Sequence, residues 1–258
     1  MNVFPRNDID DLTDNSTEIK FQITDWFIPE TDKNRSDYES SDDYTIYIYG
    51  TNSEGVTICT KVINFEPFFY VKPPKSWEQL DARQFNYKLK EFETHLREGS
   101  YESRFKGGKV FNKRIINDDT TSKFNQIECV YKKDFWGFTN NKDFRFLKIN
   151  VKSLAMYNNL KYFFQSDAII KDGFKLYESN IDPFLRFIHI KGIKPCGWIK
   201  VNNYLLENIP ETICNWNITA DWNDIEAIEI NKIAPLLIAS FDIECTSSHG
   251  DFPVAKKN

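Results

Sequence analysis

The stretch 233–252 reads IAPLLIASFDIECTSSHGDF, and the rest of the chain can be arranged around it. Residues 235–241 form a short apolar run, bounded by proline and followed by serine and glycine, which predicts a strand buried on both faces of a sheet. Asp242 and Glu244 come directly after this run. Because alternate residues of a strand point to the same side, these two carboxylates would lie side by side while Ile243 stays in the core.

Two converging carboxylates are typical of a site for a hard cation. Oxygen ligands suit Mg²⁺ or Mn²⁺, and two such ions about 3.5–4 Å apart can stabilise the attacking and leaving oxygens of a phosphodiester that is being cut. An Asp-x-Glu pattern is also common at solvated strand ends. The buried strand predicted directly before Asp242 favours the metal interpretation.

Two stretches carry a resemblance to a known family. FDIEC at 241–245, followed by SSHGDFP, resembles the first exonuclease motif of family B DNA polymerases, of the eukaryotic delta-like kind and their relatives in large DNA viruses. The stretch 177–201, YESNIDPFLRFIHIKGIKPCGWIKV, is similar to the N-terminal block of that family, which is built on ESNI, LRF and a later W-I. Weaker similarities lie at 137–149, GFTNNKDFRFLKI, and at 65–71, FEPFFYV. The resemblance therefore covers nearly the whole chain.

The resemblance implies a function for the two carboxylates. In the family, the Asp and Glu of this motif bind the catalytic metals of the 3′–5′ proofreading exonuclease, so Asp242 and Glu244 are the expected catalytic and metal-binding residues. The expected cofactor is a two-metal Mg²⁺ (or Mn²⁺) site that segments absent from this chain would complete. We therefore expect the N-terminal portion of a replicative DNA-directed DNA polymerase, inactive by itself, that guides single-stranded template.

The expected partners follow from the same resemblance. They are the DNA template and primer, the remainder of the polymerase chain and, as a further candidate, a processivity factor. The alternative is a stand-alone or split-gene nucleic-acid-binding module without catalysis. A self-contained metal nuclease is disfavoured, because Asp251 is the only acidic residue after Glu244.

The residue patterns predict a mixed, β-rich α+β fold. Residues 44–49 and 56–63 alternate as a hairpin, and 65–71 follows as a strand whose Pro67 suggests an edge or a bulge. A helix is expected over 76–98, capped by Ser76 and ended by Gly99. Its apolar stripe is Phe85, Leu89, Phe92 and Leu96.

The family implies how these elements are grouped. We expect OB-like and RNA-recognition-like subdomains, followed by the first strand of an RNase H-like exonuclease domain. The predicted domains are 1–232, on the template side, and 233–258, the incomplete start of the exonuclease domain.

Charge is segregated along the chain, although the net charge is only −5. Residues 1–50 carry 12 Asp and Glu against 4 Lys and Arg, whereas residues 103–152 carry 12 Lys and Arg against 5 Asp and Glu. The basic block RFKGGKVFNKR, at 104–114, contains five cations and no acidic residue. Phosphate contact is one interpretation of this block, and a solvated turn between strands is the other. The candidate nucleic-acid-binding residues are Arg104, Lys106, Lys109, Lys113 and Arg114.

Membrane insertion and disulfide cross-linking are not expected. No stretch approaches 18 apolar residues, and the N-terminus is acidic where a signal peptide would be basic. The five cysteines are far apart and odd in number, which favours reduced thiols. We expect a soluble, intracellular protein with no membrane partner, placed in the host nucleus or cytoplasm if it is viral.

Overall fold

The computed structural model describes residues 18–29, 43–104, 110–116, 124–236, 238–240 and 242. The strands are β1 (Glu18–Phe27), β2 (Ile46–Thr51), β3 (Thr57–Ile63), β4 (Phe68–Lys72), β5 (Ser100–Arg104), β6 (Val110–Arg114), β7 (Phe124–Lys133), β8 (Asp143–Val151), β9 (Lys175–Tyr177), β10 (Trp198–Asn202), β11 (Leu205–Leu206), β12 (Trp216–Asp221) and β13 (Ile225–Ile228). The helices are α1 (Ala82–Glu98), α2 (Leu154–Phe164), α3 (Asp167–Lys171) and α4 (Pro183–Lys191), with 3₁₀ turns at Lys75–Trp77 and Trp222–Asp224. The predicted mixed, β-rich α+β class is confirmed.

The larger sheet joins the two ends of the described chain. Its strand order is β11-β12-β3-β2-β1-β10-β13, in which only the β12–β3 pair is parallel. Alternate apolar residues of these strands form one core, which α4 enters through the fully buried ring of Phe187. Gly50, expected in the hairpin turn, instead pairs with Ile23 within β2. A Cβ there would lie 2.2 Å from the ring of Phe21, so a side chain does not fit.

The second sheet is formed by the residues between β3 and β10. It is antiparallel, with order β7-β8-β4-β9, and β5 pairs with β6 as a separate hairpin. Helices α1 and α2 pack on one face, where Phe92 and Leu160 meet Phe69 and Ile149 in a common core. Leu154 contacts both this core and that of the larger sheet.

Helix α1 begins later than expected. The segment around Ser76 is a 3₁₀ turn, and the helix starts only after Asp81. The Asp81 carboxylate accepts a hydrogen bond from the Gln84 N–H, and the Gln84 side chain accepts one from the Asp81 N–H. This reciprocal capping box satisfies two donors that would otherwise be unpaired at the helix start, which is why the prediction of a cap at Ser76 was wrong. The predicted stripe and the end at Gly99 are confirmed.

Strand β4 is interior, which contradicts the edge or bulge expected from Pro67. Proline removes a backbone donor, but Pro67 lies just before the first strand residue, Phe68. No ladder donor is therefore lost, and the Pro67 carbonyl still accepts a hydrogen bond from the Val151 N–H at 3.0 Å.

The strand expected over 235–241 is not formed by the described residues of this segment. Residues 235, 236 and 238–240 have no regular structure, and the side chain of Ile238 is 82% exposed. A buried strand needs neighbours that accept and donate its backbone hydrogen bonds, and no described strand lies beside this segment. The prediction of a buried strand over 235–241 is therefore wrong for the described residues of this segment.

Candidate nucleic-acid interface and exonuclease motif

The segment that leads to the exonuclease motif is attached to the larger sheet at its start. The Trp198 indole N–H donates to the Lys232 carbonyl at 2.7 Å, and the Ala234 N–H donates to Gln22 Oε1 at 2.8 Å. Ala234 is buried, whereas Leu236 and Ile238 are exposed. The sheet therefore fixes where the segment leaves it but does not bury the apolar residues that follow.

The structure describes one of the two candidate metal ligands. Asp242 is exposed, and Glu244 lies outside the described residues. Within the described ranges there is no group of three or more His, Cys, Asp or Glu side chains able to hold a metal ion. The carboxylate of Asp242 is a suitable donor for a hard cation, but the rest of a ligand set is not found among these residues.

The described residues of the basic block lie on both strands of the β5–β6 hairpin. Arg104 is the last residue of β5, and Lys113 and Arg114 end β6, while Lys106 and Lys109 lie outside the described residues. In the ladder, Arg104 pairs with Val110, whereas Arg114 pairs with Ser100 at the opposite end. Four residues of an antiparallel strand span about 14 Å, so Arg104 and Arg114 lie near opposite ends of this hairpin. The role of all five residues stays a prediction.

The ESNI and LRF motifs meet in the structure at a junction, residues 177–188, where the chain passes from β9 into α4. The Arg186 guanidinium is buried and donates to Glu178 Oε2 and to the Glu178 carbonyl, both at 2.8 Å. Glu178 adopts a φ of 56°, a conformation that brings both acceptors to the same guanidinium. The Tyr157 hydroxyl donates to the Ser179 carbonyl at 3.2 Å. These motif residues hold the fold together.

The face of the smaller sheet opposite the helices carries aromatic rings covered by cations. Phe68, Tyr70 and Phe146 are buried there. Lys148 Nζ and the Arg186 guanidinium each lie 4.5 Å from the centroid of Phe68. Further pairs are Lys132 over Tyr70 at 4.7 Å and Lys72 over Phe144 at 3.8 Å. Sequence reasoning missed this face, although the alternation Phe68-x-Tyr70-x-Lys72 and Phe144-x-Phe146-x-Lys148 is visible in the chain.

A buried carboxylate anchors the loop at one edge of this face. Asp134 Oδ2 accepts from Lys72 Nζ at 2.7 Å, and Oδ1 accepts from the Trp136 N–H at 3.0 Å and the Tyr177 hydroxyl at 3.1 Å. Burial acts to raise the pKa of Asp134, but these three donors outweigh it and hold that pKa below its usual value. Burial, followed by the hydrogen bond to Asp134, raises the pKa of Tyr177 to about 12.

Comparison with known proteins adds an independent finding. Residues 174–258 match the model of the DNA polymerase family B exonuclease domain. The DNA polymerase of Pyramimonas orientalis virus is 34% identical over 253 residues, which cover 95% of this chain and 19% of that protein. The DNA polymerase delta catalytic subunit of Arabidopsis thaliana is 30% identical over 256 residues, covering 94% of this chain and 22% of that one. This chain is therefore similar to the family B DNA polymerases.

A solved structure agrees with this family at the level of the fold. The family B DNA polymerase of Pyrobaculum calidifontis superposes with a TM-score of 0.50 at 14% identity, over 85% of this chain and 21% of that one. The chain thus spans about a fifth of the length of the family B relatives that it matches. The resemblance inferred from FDIEC and from the ESNI block is confirmed, while the domain boundary at 232/233 stays a prediction.

No helix among the described residues is both long enough and apolar enough to cross a membrane.

Proposed function

We propose that this chain acts as the template-side part of a DNA-directed DNA polymerase with 3′–5′ proofreading exonuclease activity. The observation that carries the proposal is the match of residues 174–258 to the family B exonuclease domain, since this stretch contains both Asp242 and Glu244. Relatives that are polymerases by name, in large DNA viruses and in eukaryotes, align with 94–95% of the chain. That extent supports a shared role for the whole chain.

In this proposal Asp242 and Glu244 are metal ligands. Their carboxylates would hold Mg²⁺ or Mn²⁺ with ligands from polymerase segments other than these 258 residues. The ions would supply charge stabilisation when a phosphodiester is cut. With two carboxylates alone, Mg²⁺ binding is expected to be weak, because such sites generally need substrate phosphates to complete their coordination. The 258-residue chain is therefore expected to show no nuclease activity by itself.

The template-guiding part of the proposal concerns the basic block. Arg104, Lys106, Lys109, Lys113 and Arg114 are proposed to contact the phosphates of single-stranded template. Such contacts release counterions, so the affinity should fall with salt. The positions of Arg104, Lys113 and Arg114 on the strands of the β5–β6 hairpin, within a region that carries a net charge of +7 over 103–152, support this role.

The proposed partners are DNA template and primer, the remainder of a polymerase chain and a processivity factor. If the chain is viral, the proposed compartment is the host nucleus or cytoplasm. These assignments rest on the names of the relatives, which are viral DNA polymerases and delta catalytic subunits.

The proposal is tested in a chimaera in which this chain replaces the aligned segment of the Pyramimonas orientalis virus polymerase. The test variant carries Asp242→Ala and Glu244→Ala, and the matched control carries Asp251→Ala. We expect the double variant to stop shortening a 5′-labelled single strand in Mg²⁺ while it still extends a primer, because polymerisation uses a separate site. Unchanged 3′–5′ degradation in the double variant would contradict the role of these carboxylates, and retained extension confirms that the protein is folded.

A further inference from the structure

The loop that joins β7 to β8, residues 134–142, presents three aromatic side chains to solvent. Phe135, Trp136 and Phe138, here called the aromatic tip, are 93%, 81% and 96% exposed. Rings exposed to this extent contribute nothing to the core. Soluble proteins rarely cluster large exposed apolar groups without a binding role.

Hydrogen bonds at both ends hold the loop in shape, although its three rings are exposed. The buried Asp134 carboxylate accepts the Trp136 N–H and ties the loop to β4 and β9 through Lys72 and Tyr177. At the other end, Lys133 Nζ donates to the Asn141 carbonyl and pairs with Asp143 at 2.9 Å. A binding surface that is already ordered loses less entropy when its ligand arrives.

Left-handed backbone positions shape the turn itself. Gly137 has a φ of 81°, and Asn140 and Asn141 have φ values of 51° and 60°. Glycine and asparagine are the residues that adopt this region most readily. Apart from the two adjacent residues, no atom lies within 4 Å of where a Cβ of Gly137 would be, so there is open space beside this turn.

The charges beside the tip identify the kind of ligand. Lys132 and Lys142 flank the loop and lie over the rings of Tyr70 and Phe144, at 4.7 and 5.3 Å. Within the described part of the chain, neither lysine has a carboxylate at ion-pair distance, so both positive charges remain available. Aromatic rings interleaved with cations match unpaired nucleobases joined by phosphates, since bases stack on rings and phosphates attract lysine.

We propose that the aromatic tip is a stacking site for the bases of single-stranded DNA. The site lies outside the basic block at 104–114 and uses stacking rather than phosphate contact. It deepens the template-guiding role and therefore rests on the proposed function. Stacking on aromatic rings depends little on the identity of the base, so such a site can bind any base of a template.

The test measures binding of the 258-residue chain to a fluorescein-labelled 15-nucleotide oligodeoxythymidylate by anisotropy. The tip variant carries Phe135→Ala, Trp136→Ala and Phe138→Ala. We expect about a tenfold loss of affinity for each ring that stacks on a base. The matched control is Tyr87→Ala with Tyr162→Ala, two rings on α1 and α2 that are 71% and 61% exposed, and it should bind like the unmodified chain. Trp136→Phe, which keeps a ring, should lose much less affinity than Trp136→Ala.

A second oligonucleotide separates stacking from charge. An abasic strand of equal length keeps every phosphate but has no bases, so the unmodified chain should bind it weakly and the tip variant should bind it no worse. The basic-block variant, Lys109→Ala, Lys113→Ala and Arg114→Ala, should instead reduce the slope of log affinity against log salt by about 0.7 for each phosphate that the variant no longer binds. The tip variant should leave that slope unchanged.

The outcomes distinguish the two proposals. Full affinity in the tip variant, with a reduced slope in the basic-block variant, would overturn the stacking site and leave template guiding intact. No binding by the unmodified chain would overturn template guiding together with the tip. If the tip variant changed only the sedimentation coefficient of the chain, a second copy would be the occupant and the inference would be wrong. Circular dichroism of each variant checks that its fold is retained.

Discussion

The junction at 177–188 and the segment at 233–242 both carry the resemblance to family B polymerases, yet they are held very differently. At the junction, buried Arg186 binds Glu178 and the ring of Phe187 lies in the core of the larger sheet. Beyond Ala234, the second segment has no strand partner among the described residues, and its Ile238 is exposed. The first motif is buried and hydrogen-bonded within this chain, whereas the described residues of the second are exposed beyond Ala234.

The two motifs therefore need different explanations for their match to the family. A motif that is buried and held by hydrogen bonds is explained by the fold that it stabilises. Asp242 instead follows a segment that is exposed beyond Ala234, so burial in the described part of the chain does not explain this motif.

The first prediction has the largest expected effect. It compares the loss of unfolding free energy when one apolar residue of each segment is changed to alanine. Phe187→Ala removes a fully buried ring that packs edge-on against Phe65, with ring centroids 5.4 Å apart, and should reduce the free energy of unfolding by about 3–5 kcal/mol. Ile238→Ala removes an exposed side chain and should change that free energy by less than about 0.5 kcal/mol. Urea denaturation followed by circular dichroism measures both. A cost for Ile238→Ala as large as that for Phe187→Ala would show that the second segment is packed after all.

The same contrast explains what could be predicted from the sequence. Strands with regular alternation, such as β2 and β3, were located to within a few residues, because alternation depends on local burial. The apolar run after Pro235 was misassigned, because hydrophobicity shows that a segment can be buried but does not supply the strands that would pair with it. The parallel pairing of β12 with β3, between residues about 160 positions apart in sequence, left no local signal.

The functional residues show the same limit. The sequence identified Asp242 and Glu244 from their spacing, and the family match covers both positions. It did not identify the aromatic tip, because the residue types of Phe135, Trp136 and Phe138 do not show whether they are buried or exposed. A Gly and two Asn residues within KKDFWGFTNNK were the available sign that these rings lie on a turn.

The second prediction tests the polar part of the junction. Arg186→Ala should reduce the free energy of unfolding by about 2 kcal/mol, because it removes two charge-assisted hydrogen bonds and the cation over Phe68. This loss of unfolding free energy should be smaller than for a fully buried ion pair, because water can solvate the partly exposed Glu178 carboxylate. Arg186→Lys keeps the charge but not the two-pronged geometry, so its cost should be intermediate.

The matched control for Arg186 is an exposed ion pair of the same charge type. Lys194 Nζ lies 3.4 Å from Glu229 Oε1, and both side chains are largely in solvent. Lys194→Ala should change the free energy of unfolding by less than about 0.5 kcal/mol in the same denaturation experiment. Equal costs for Arg186→Ala and Lys194→Ala would mean that burial does not strengthen the junction.

The third prediction has the smallest expected effect and concerns how the stability contributed by Asp134 depends on pH. Asp134 accepts a hydrogen bond from Tyr177 in β9, where the junction begins. Asp134→Asn weakens the hydrogen bonds from Lys72 and Tyr177 and should cost about 1–2 kcal/mol at pH 7. Because the folded-state pKa of Asp134 lies below its usual value of 3.8, its contribution is present above pH 3.8 and is lost as the pH falls through the folded-state pKa. The stability difference between the unmodified chain and Asp134→Asn should therefore narrow on acidification.

The control is Asp143→Asn, which removes the exposed pair with Lys133 and should cost less than about 1 kcal/mol at pH 7. A difference for Asp134→Asn that stayed constant from pH 7 to about pH 2.5 would show that the carboxylate charge does not hold β9 in place.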